Sequence, residues 1–304
     1  MTDDVELRRT QLATPAPDRQ YVESAANSAA DEVFLDLEDA VAPTERADAR
    51  ESLIAAARDL DWDDTILSYR INGIDTRWWY DDVIDVVSAA GEYIDDVVVP
   101  KVTCASDVHT VEDLLEQVEV NVGLDVGAIG LEPQVEDGEG MHNVHEIAHA
   151  SDRLSALLFG PGDYSAAMGT PGLDIGQFPD YPGHYWHHAL AQCNTAAKSA
   201  DLPLIDGPYG DVDDLDGFRE SAERAHMLGC DGKGVVHPNQ IAVGNEVFSP
   251  DPEVVERAKR LVDAYAEARA DGKGAVKVDG QLVDEATDRM ARDVVAKARA
   301  AGIL

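Results

Sequence analysis

The sequence predicts an α/β protein, a (β/α)8 TIM barrel with a C-terminal helical arm. Eight short apolar runs recur along the chain, each short enough for a buried strand. Stretches with helical spacing separate most of them. Polar residues gather just after the runs, as on the C-terminal face of a barrel, where active sites lie. The competing architecture is a doubly wound open sheet, and the lack of a GxGxxG after the first run weakens its dinucleotide-binding form. The barrel is expected over 1–248 and the arm over 249–304.

The elements follow in order. Gln11–Ala13 reads as a first strand ending in Thr14-Pro15-Ala16-Pro17, with a helix over Arg19–Ala30. Val33–Leu37 runs into Asp36-Leu37-Glu38-Asp39, and Pro43-Thr44 open a helix to Leu60. Ile66–Ile71 is the third strand, carrying Arg70, and Trp78–Ala90 the helix that Gly91 stops. Val97–Val99 ends on Pro100-Lys101, and Ser106 caps a helix to Val120. Ala128–Val135 ends on Glu136-Asp137, Gly138 and Gly140 break the chain, and Met141–Ala150 is helical. Leu154–Phe159 ends in the turn Gly160-Pro161-Gly162-Asp163. Trp186–Ala200 is a helix, Pro203–Ile205 a strand, Leu215–Leu228 a helix, and Gly234–Val236 the last strand, followed by His237-Pro238. Helices over Pro252–Ala270 and Asp284–Ala301 close the chain, with a turn at Asp271–Gly274 and a short run at Ala275–Val278 between them.

Composition narrows the function classes. The 304 residues suffice for one large domain or two small ones, and 44% hydrophobic content supports an ordinary core. With 60 Asp plus Glu against 24 Lys plus Arg, the net charge is −36. Acids spread along the chain exclude the basic footprint of a nucleic-acid binder. They fit a salt-adapted, halophilic cytoplasm, where the Debye length falls to ~3 Å near molar salt, with a merely acidic mesophile protein as the plainer alternative. No apolar run approaches the length of a membrane span, and the N-terminus does not read as a signal peptide. The three cysteines, Cys104, Cys193 and Cys230, are widely spaced and read as reduced thiols.

The candidate chemistry gathers behind the strands. Glu136 and Asp163 each follow a strand, one β-α unit apart. Parallel neighbours would bring them together as a pair for a hard, oxygen-loving ion: Mg²⁺, with Mn²⁺ as the alternative. Arg70 ends an apolar strand and either binds substrate oxygens or pairs with Glu38 or Asp39. Lys101 could form a Schiff base, although an ion-pair role is the simpler reading. His237 reads as the holder of the strand-eight turn through Pro238, with a catalytic role as the alternative. The run His145-Glu146-Ile147-Ala148-His149 matches the HExxH zinc-protease pattern. It follows a barrel strand, so its helix is expected on the outside, and a solvated helix face is the plainer reading.

The chain resembles the citrate lyase β-subunit / malyl-CoA lyase family of acyl-CoA lyases. The motifs are RRTQLATPA (Arg8–Ala16), FLDLEDAVAP (Phe34–Pro43), YRING (Tyr69–Gly73), VVPKV (Val98–Val102), VEDGEGMHN (Val135–Asn143), FGPGDY (Phe159–Tyr164), IDGPYGD (Ile205–Asp211), GCDGKGVVHPNQI (Gly229–Ile241) and VDGQLVD (Val278–Asp284). Tyr181–His188 and IDGPYGD look most like malyl-CoA lyases. The resemblance implies Mg²⁺ on Glu136 and Asp163 and contact of Arg70 with the reacting oxygens. It implies that Asp284, in the arm, works in the site of a neighbouring subunit, and hence a homo-oligomer, a trimer or hexamer. Ala13, Thr14, Pro15, Ala16, Pro17, Asp18 and Arg19, with Gly162, Asp163, Val236 and His237, would line the CoA-thioester site, and Glu38, Asp39 and Lys101 would support it. Ser24 stands where many relatives carry Lys, and Arg46 replaces another Lys with its charge kept. The implied activity is cleavage of malyl-CoA or β-methylmalyl-CoA to acetyl-CoA or propionyl-CoA plus glyoxylate. Citramalyl-CoA or citryl cleavage, malate synthase chemistry with added thioester hydrolysis, and a non-catalytic CoA-binding subunit are the alternatives.

Overall fold

The computed structural model describes residues 5–62, 65–170 and 186–304. Tyr181–His188 therefore falls largely outside the described residues, over 181–185. The chain divides into two compact units, Arg8–Asn245 and Glu246–Leu304, the latter grouped with the N-terminal Met1–Leu7.

The first unit is a closed parallel barrel in which strands β1 to β8 pair in sequence order and β8 returns to β1. Its elements are β1 (Thr10–Pro15), α1 (Arg19–Ala26), β2 (Glu32–Asp36), α2 (Arg46–Asp59), β3 (Ile66–Arg70), α3 (Trp79–Ala90), β4 (Asp96–Val99) and α4 (Ala105–Val122). They continue as β5 (Gly130–Val135), α5 (Gly138–Ala148), β6 (Leu157–Phe159), α6 (Pro161–Met168), α7 (His187–Ser199), β7 (Leu204–Asp206), α8 (Leu215–Met227), β8 (Gly232–Val235) and α9 (Ile241–Val247). Because side chains alternate along a strand, every second residue enters the barrel. Phe34, Val98, Ala156, Leu158 and Ile205, with Ala13 packed against them, form an apolar cluster. A buried polar cluster occupies the early strand positions. Arg8 bridges Glu32 (3.0 Å), Asp96 (2.8 Å) and Glu132, while Gln11 Nε2 donates to Glu32 and Glu132, each at 2.8 Å.

Three local readings are corrected. Gly138 and Gly140 do not break the chain; they form the first turn of α5, where Asp137 caps by accepting from Gly140 N at 2.7 Å. Gly140 is needed for approach, since a Cβ there would lie 2.4 Å from the Val102 carbonyl. Gly160-Pro161-Gly162-Asp163 is no free turn. Pro161 occupies the first position of α6, where its missing N–H costs nothing. Cys104, not Ser106, stands before α4, because the Asp107 carboxylate takes the N–H groups of Thr103 (2.7 Å) and Cys104 (3.2 Å).

The second unit packs α10 (Pro252–Ala270) and α11 (Glu285–Ala300) around Leu261, Tyr265, Val283, Ala291 and Val295. Between them lies an antiparallel hairpin of β9 (Val276–Val278) and β10 (Gln281–Val283). Its two-residue turn, Asp279-Gly280, has positive φ at both positions (48° and 86°), the Asp-Gly signature of such hairpins.

Candidate active site

The C-terminal ends of the strands bring seven of the expected residues around one cavity of about 570 Å³, within the range of small-molecule sites. Ala13, Asp39, Arg70, Glu136, Gly162, Asp163 and Val236 line it. Thr14, Pro15, Ala16, Pro17, Asp18, Arg19 and His237 are not among the lining residues. Asp18 instead caps α1, accepting from Gln20 N (3.1 Å) and Tyr21 N (3.2 Å), and Arg19 pairs with Glu23 at 2.8 Å. His237 Nδ1 accepts from Asn239 N at 3.2 Å and so holds the turn at Pro238.

Arg70 is fixed by strand register. Asp36 stands beside it in the ladder, and the guanidinium forks onto the Asp36 carboxylate with Nε and Nη2 each at 2.8 Å. Asp36 also accepts from Glu38 N and Ala40 N, both at 3.0 Å. Burial works against the Asp36 charge, but the Arg70 guanidinium and these N–H donors hold its carboxyl below the ordinary range. Arg70 Nη1 lies 3.3 Å from Glu38 Oε2, a buried oxygen with no hydrogen bond, and burial lifts Glu38 above its usual value. The Phe34 ring lies 5.5 Å from the Arg70 guanidinium carbon.

Lys101 decides between its two readings. Its ammonium pairs with Glu38 and lies 3.7 Å from Asp163 and 3.8 Å from Asp39. Burial lowers its pKa, but the Glu38 carboxylate outweighs this and holds it at about 12. A Schiff-base lysine needs the opposite, a depressed pKa. The geometry favours the ion-pair reading of Lys101.

Glu136, 3% exposed, follows β5, and Asp163 lies in the first turn of α6, after β6. The two strands pair in parallel, so these carboxylates meet the same cavity. Glu136 Oε1 accepts from Lys101 N at 2.7 Å and Oε2 from Gln134 Nε2 at 2.6 Å. Each oxygen keeps acceptor capacity for a further partner. Burial pushes Glu136 up to about 7; Arg70 opposes this, while Glu38 and Asp163 add to it. Two all-oxygen donors, one of them disfavoured as a lone buried anion, fit a hard dication that takes few protein carboxylates and completes its shell with substrate and water. Among the described residues, no group of three or more His, Cys, Asp or Glu is placed to hold a metal ion.

In the HExxH run, His145 lies exposed on α5, while His149 lies beyond the helix as its C-cap and its Nε2 is 3.0 Å from Ser199 Oγ. Asp284 caps α11 in the second unit, its Oδ1 accepting from Thr287 N and Oγ1, both at 3.0 Å. Those bonds hold its carboxyl below the usual value. Sequence reasoning missed Asp36 and Gln134. Register pairs Asp36 with Arg70, and strand alternation puts Gln134 on the face of Glu136, so both carried a signal.

The family described as HpcH/HpaI aldolase/citrate lyase matches residues 9–238. The L-malyl-CoA/beta-methylmalyl-CoA lyase of Rhodobacter capsulatus is 40% identical over 98% of this chain and 96% of its own. A (3S)-malyl-CoA thioesterase of Cereibacter sphaeroides is 35% identical over 96% of this chain and 95% of its own. The crystal structure of protein CitE from Mycobacterium tuberculosis, in complex with magnesium, acetoacetate and coenzyme A, superposes with a TM-score of 0.71 at 26% identity, covering 96% of this chain and 97% of that one.

Proposed function

Since the chain belongs to the HpcH/HpaI aldolase/citrate lyase family, we propose that it is a Mg²⁺-dependent carbon–carbon lyase of malyl-CoA type. It would cleave L-malyl-CoA or β-methylmalyl-CoA to acetyl-CoA or propionyl-CoA plus glyoxylate, and form the same bond in reverse. The observation that carries this is the carboxylate pair Glu136 and Asp163, which shares a cavity with the anchored guanidinium of Arg70. A bound Mg²⁺, held by Glu136 and Asp163, would act as a Lewis acid toward the substrate carboxylate and hydroxyl oxygens.

The residues divide the remaining work. Cleavage removes the hydroxyl proton, breaks the C2–C3 bond and sends its electron pair onto the thioester oxygen as an enolate. Arg70 donates hydrogen bonds to that oxygen as its charge develops, from a guanidinium already held by Asp36. The enolate carbon then takes a proton, which balances the one lost. Asp284 of a neighbouring subunit is our candidate for this proton exchange, with its ionised form suited to abstracting the proton in the condensation direction. That assignment makes the active unit a homo-oligomer. We assign the protein to a salt-rich cytoplasm on its net charge of −36.

A second reading adds thioester hydrolysis, favoured by the likeness to a (3S)-malyl-CoA thioesterase. Product analysis separates the readings. Purified protein with Mg²⁺ in high KCl, given malyl-CoA, β-methylmalyl-CoA and citramalyl-CoA in turn, is expected to release glyoxylate and an intact acyl-CoA from the first two. Free CoA and malate would favour the hydrolase; pyruvate from citramalyl-CoA alone would replace the assigned substrate.

A further inference from the structure

We infer that Gln134 is a positioning residue which, with the N–H of a left-handed Lys101 backbone, orients the Glu136 carboxylate toward a divalent cation. The inference rests on the reading of Glu136 as a metal ligand. Three independent features converge on this one carboxylate. Gln134 lies two residues before Glu136, so strand alternation sets both on the same side, and its Nε2 donates to Oε2 at 2.6 Å. The other oxygen, Oε1, takes the Lys101 N–H at 2.7 Å from the loop after β4. Lys101 has φ 55°, a conformation that L side chains avoid, and such strain gathers where function demands a particular backbone direction. Finally, the bare Gly160 backbone closes the space. A Cβ there would lie 2.3 Å from Glu136 Oε2 and 2.8 Å from Gln134 Nε2.

The physical consequence is orientation with acceptor capacity left over for a cation. Each oxygen gives up one acceptor direction to a fixed donor and keeps the other. A buried carboxylate with only one donor could rotate about its terminal torsion, which is broad. Two donors from separate elements remove that freedom before the metal arrives. Hydrogen-bonded partners of metal-binding carboxylates contribute in this way, and their loss weakens metal affinity 10- to 100-fold.

The test is calorimetric titration of Mg²⁺ into the full-length protein in high KCl, with melting in EDTA measured alongside. Gln134→Met keeps the shape and removes the donor; we expect Kd for Mg²⁺ to weaken about 10- to 100-fold while the EDTA melting temperature moves little. Gln134→Asn, with a shorter amide, should fall between it and wild type. Gly160→Ala offers an independent route, since its methyl enters the same space, and it should also weaken Mg²⁺. Gln134→Met protein that binds Mg²⁺ as wild type does would overturn the inference. So would a loss of affinity that merely follows a collapse in EDTA stability. Glu136→Gln is the control. If it too binds Mg²⁺ normally, the metal reading of Glu136 fails, and with it the inference; if it loses Mg²⁺ while Gln134→Met keeps it, only the positioning role fails.

Discussion

Two carboxylates within reach of Arg70 titrate in opposite directions, because burial raises both and only Asp36 has partners enough to outweigh it. Asp36 has a guanidinium fork and two backbone N–H groups, so it stays ionised. Glu136 is buried among Glu38 and Asp163 and rises to about 7 from an ordinary 4.5. Between these values the folded protein keeps a proton that the unfolded chain has lost, so this group's contribution to metal-free stability is present below pH 4.5 and is lost as pH rises through about 7. A dication needs the ionised form, so Mg²⁺ binding expels that proton in acid. Mg²⁺ affinity is therefore expected to climb up to about tenfold per pH unit below pH 7 and to level off above it. Calorimetry across pH 5.5 to 8, in roughly tenfold steps of proton activity, reads this directly; an affinity flat with pH would contradict it. The sequence already announced Glu136, Asp163 and Arg70 by their places after strands. It announced the approach of Arg70 to Glu38 (3.3 Å) and Asp39 (3.7 Å) but not the fork onto Asp36, which the register of β2 against β3 sets beside it.

At the scale of elements, the strands were legible wherever an apolar run stood alone, and the boundaries moved by one to three residues at most of them. What was not legible was helix initiation by unusual residues. Gly138, Gly140 and Pro161 read as breakers, yet each lies in the first turn of a helix because capping or close approach outweighs local propensity. The β9–β10 hairpin was missed although Asp279-Gly280 is a strong turn signal, because its strands are only three residues long. The HExxH pattern is the converse case. A four-residue spacing aligns two histidines only while the helix continues, and α5 ends at Ala148, before the second of them. The arm carries its own prediction. If Asp284 at the start of α11 serves a neighbouring barrel, inactive Asp284→Asn and inactive Arg70→Ala proteins, dissociated and reassembled together, should regain part of the wild-type rate. Mixed oligomers that form but stay inactive would assign the arm to its own barrel or remove Asp284 from the chemistry.

For the molecule as a whole, the dominant quantity is the net charge of −36. Self-repulsion of this size opposes compaction when the Debye length is ~10 Å, in dilute buffer, and is screened when it falls to ~3 Å. The melting temperature is therefore expected to rise steeply with KCl from about 0.1 M towards molar concentrations, and a value independent of KCl would sink the salt-adapted reading. The barrel topology places Arg70 from β3, Glu136 after β5 and Asp163 after β6 around one cavity, which no single element could do. Carbon–carbon cleavage is expected to depend on a dication held by that carboxylate pair. The measurement that tests it most directly is the rate of glyoxylate release from L-malyl-CoA by wild type, Glu136→Gln and Asp163→Asn, in EDTA and after Mg²⁺ is restored. Wild type is expected to be inactive in EDTA and to recover fully with Mg²⁺, and both variants to stay folded but inactive in either condition. Undiminished glyoxylate release in EDTA, or by either variant, would contradict it.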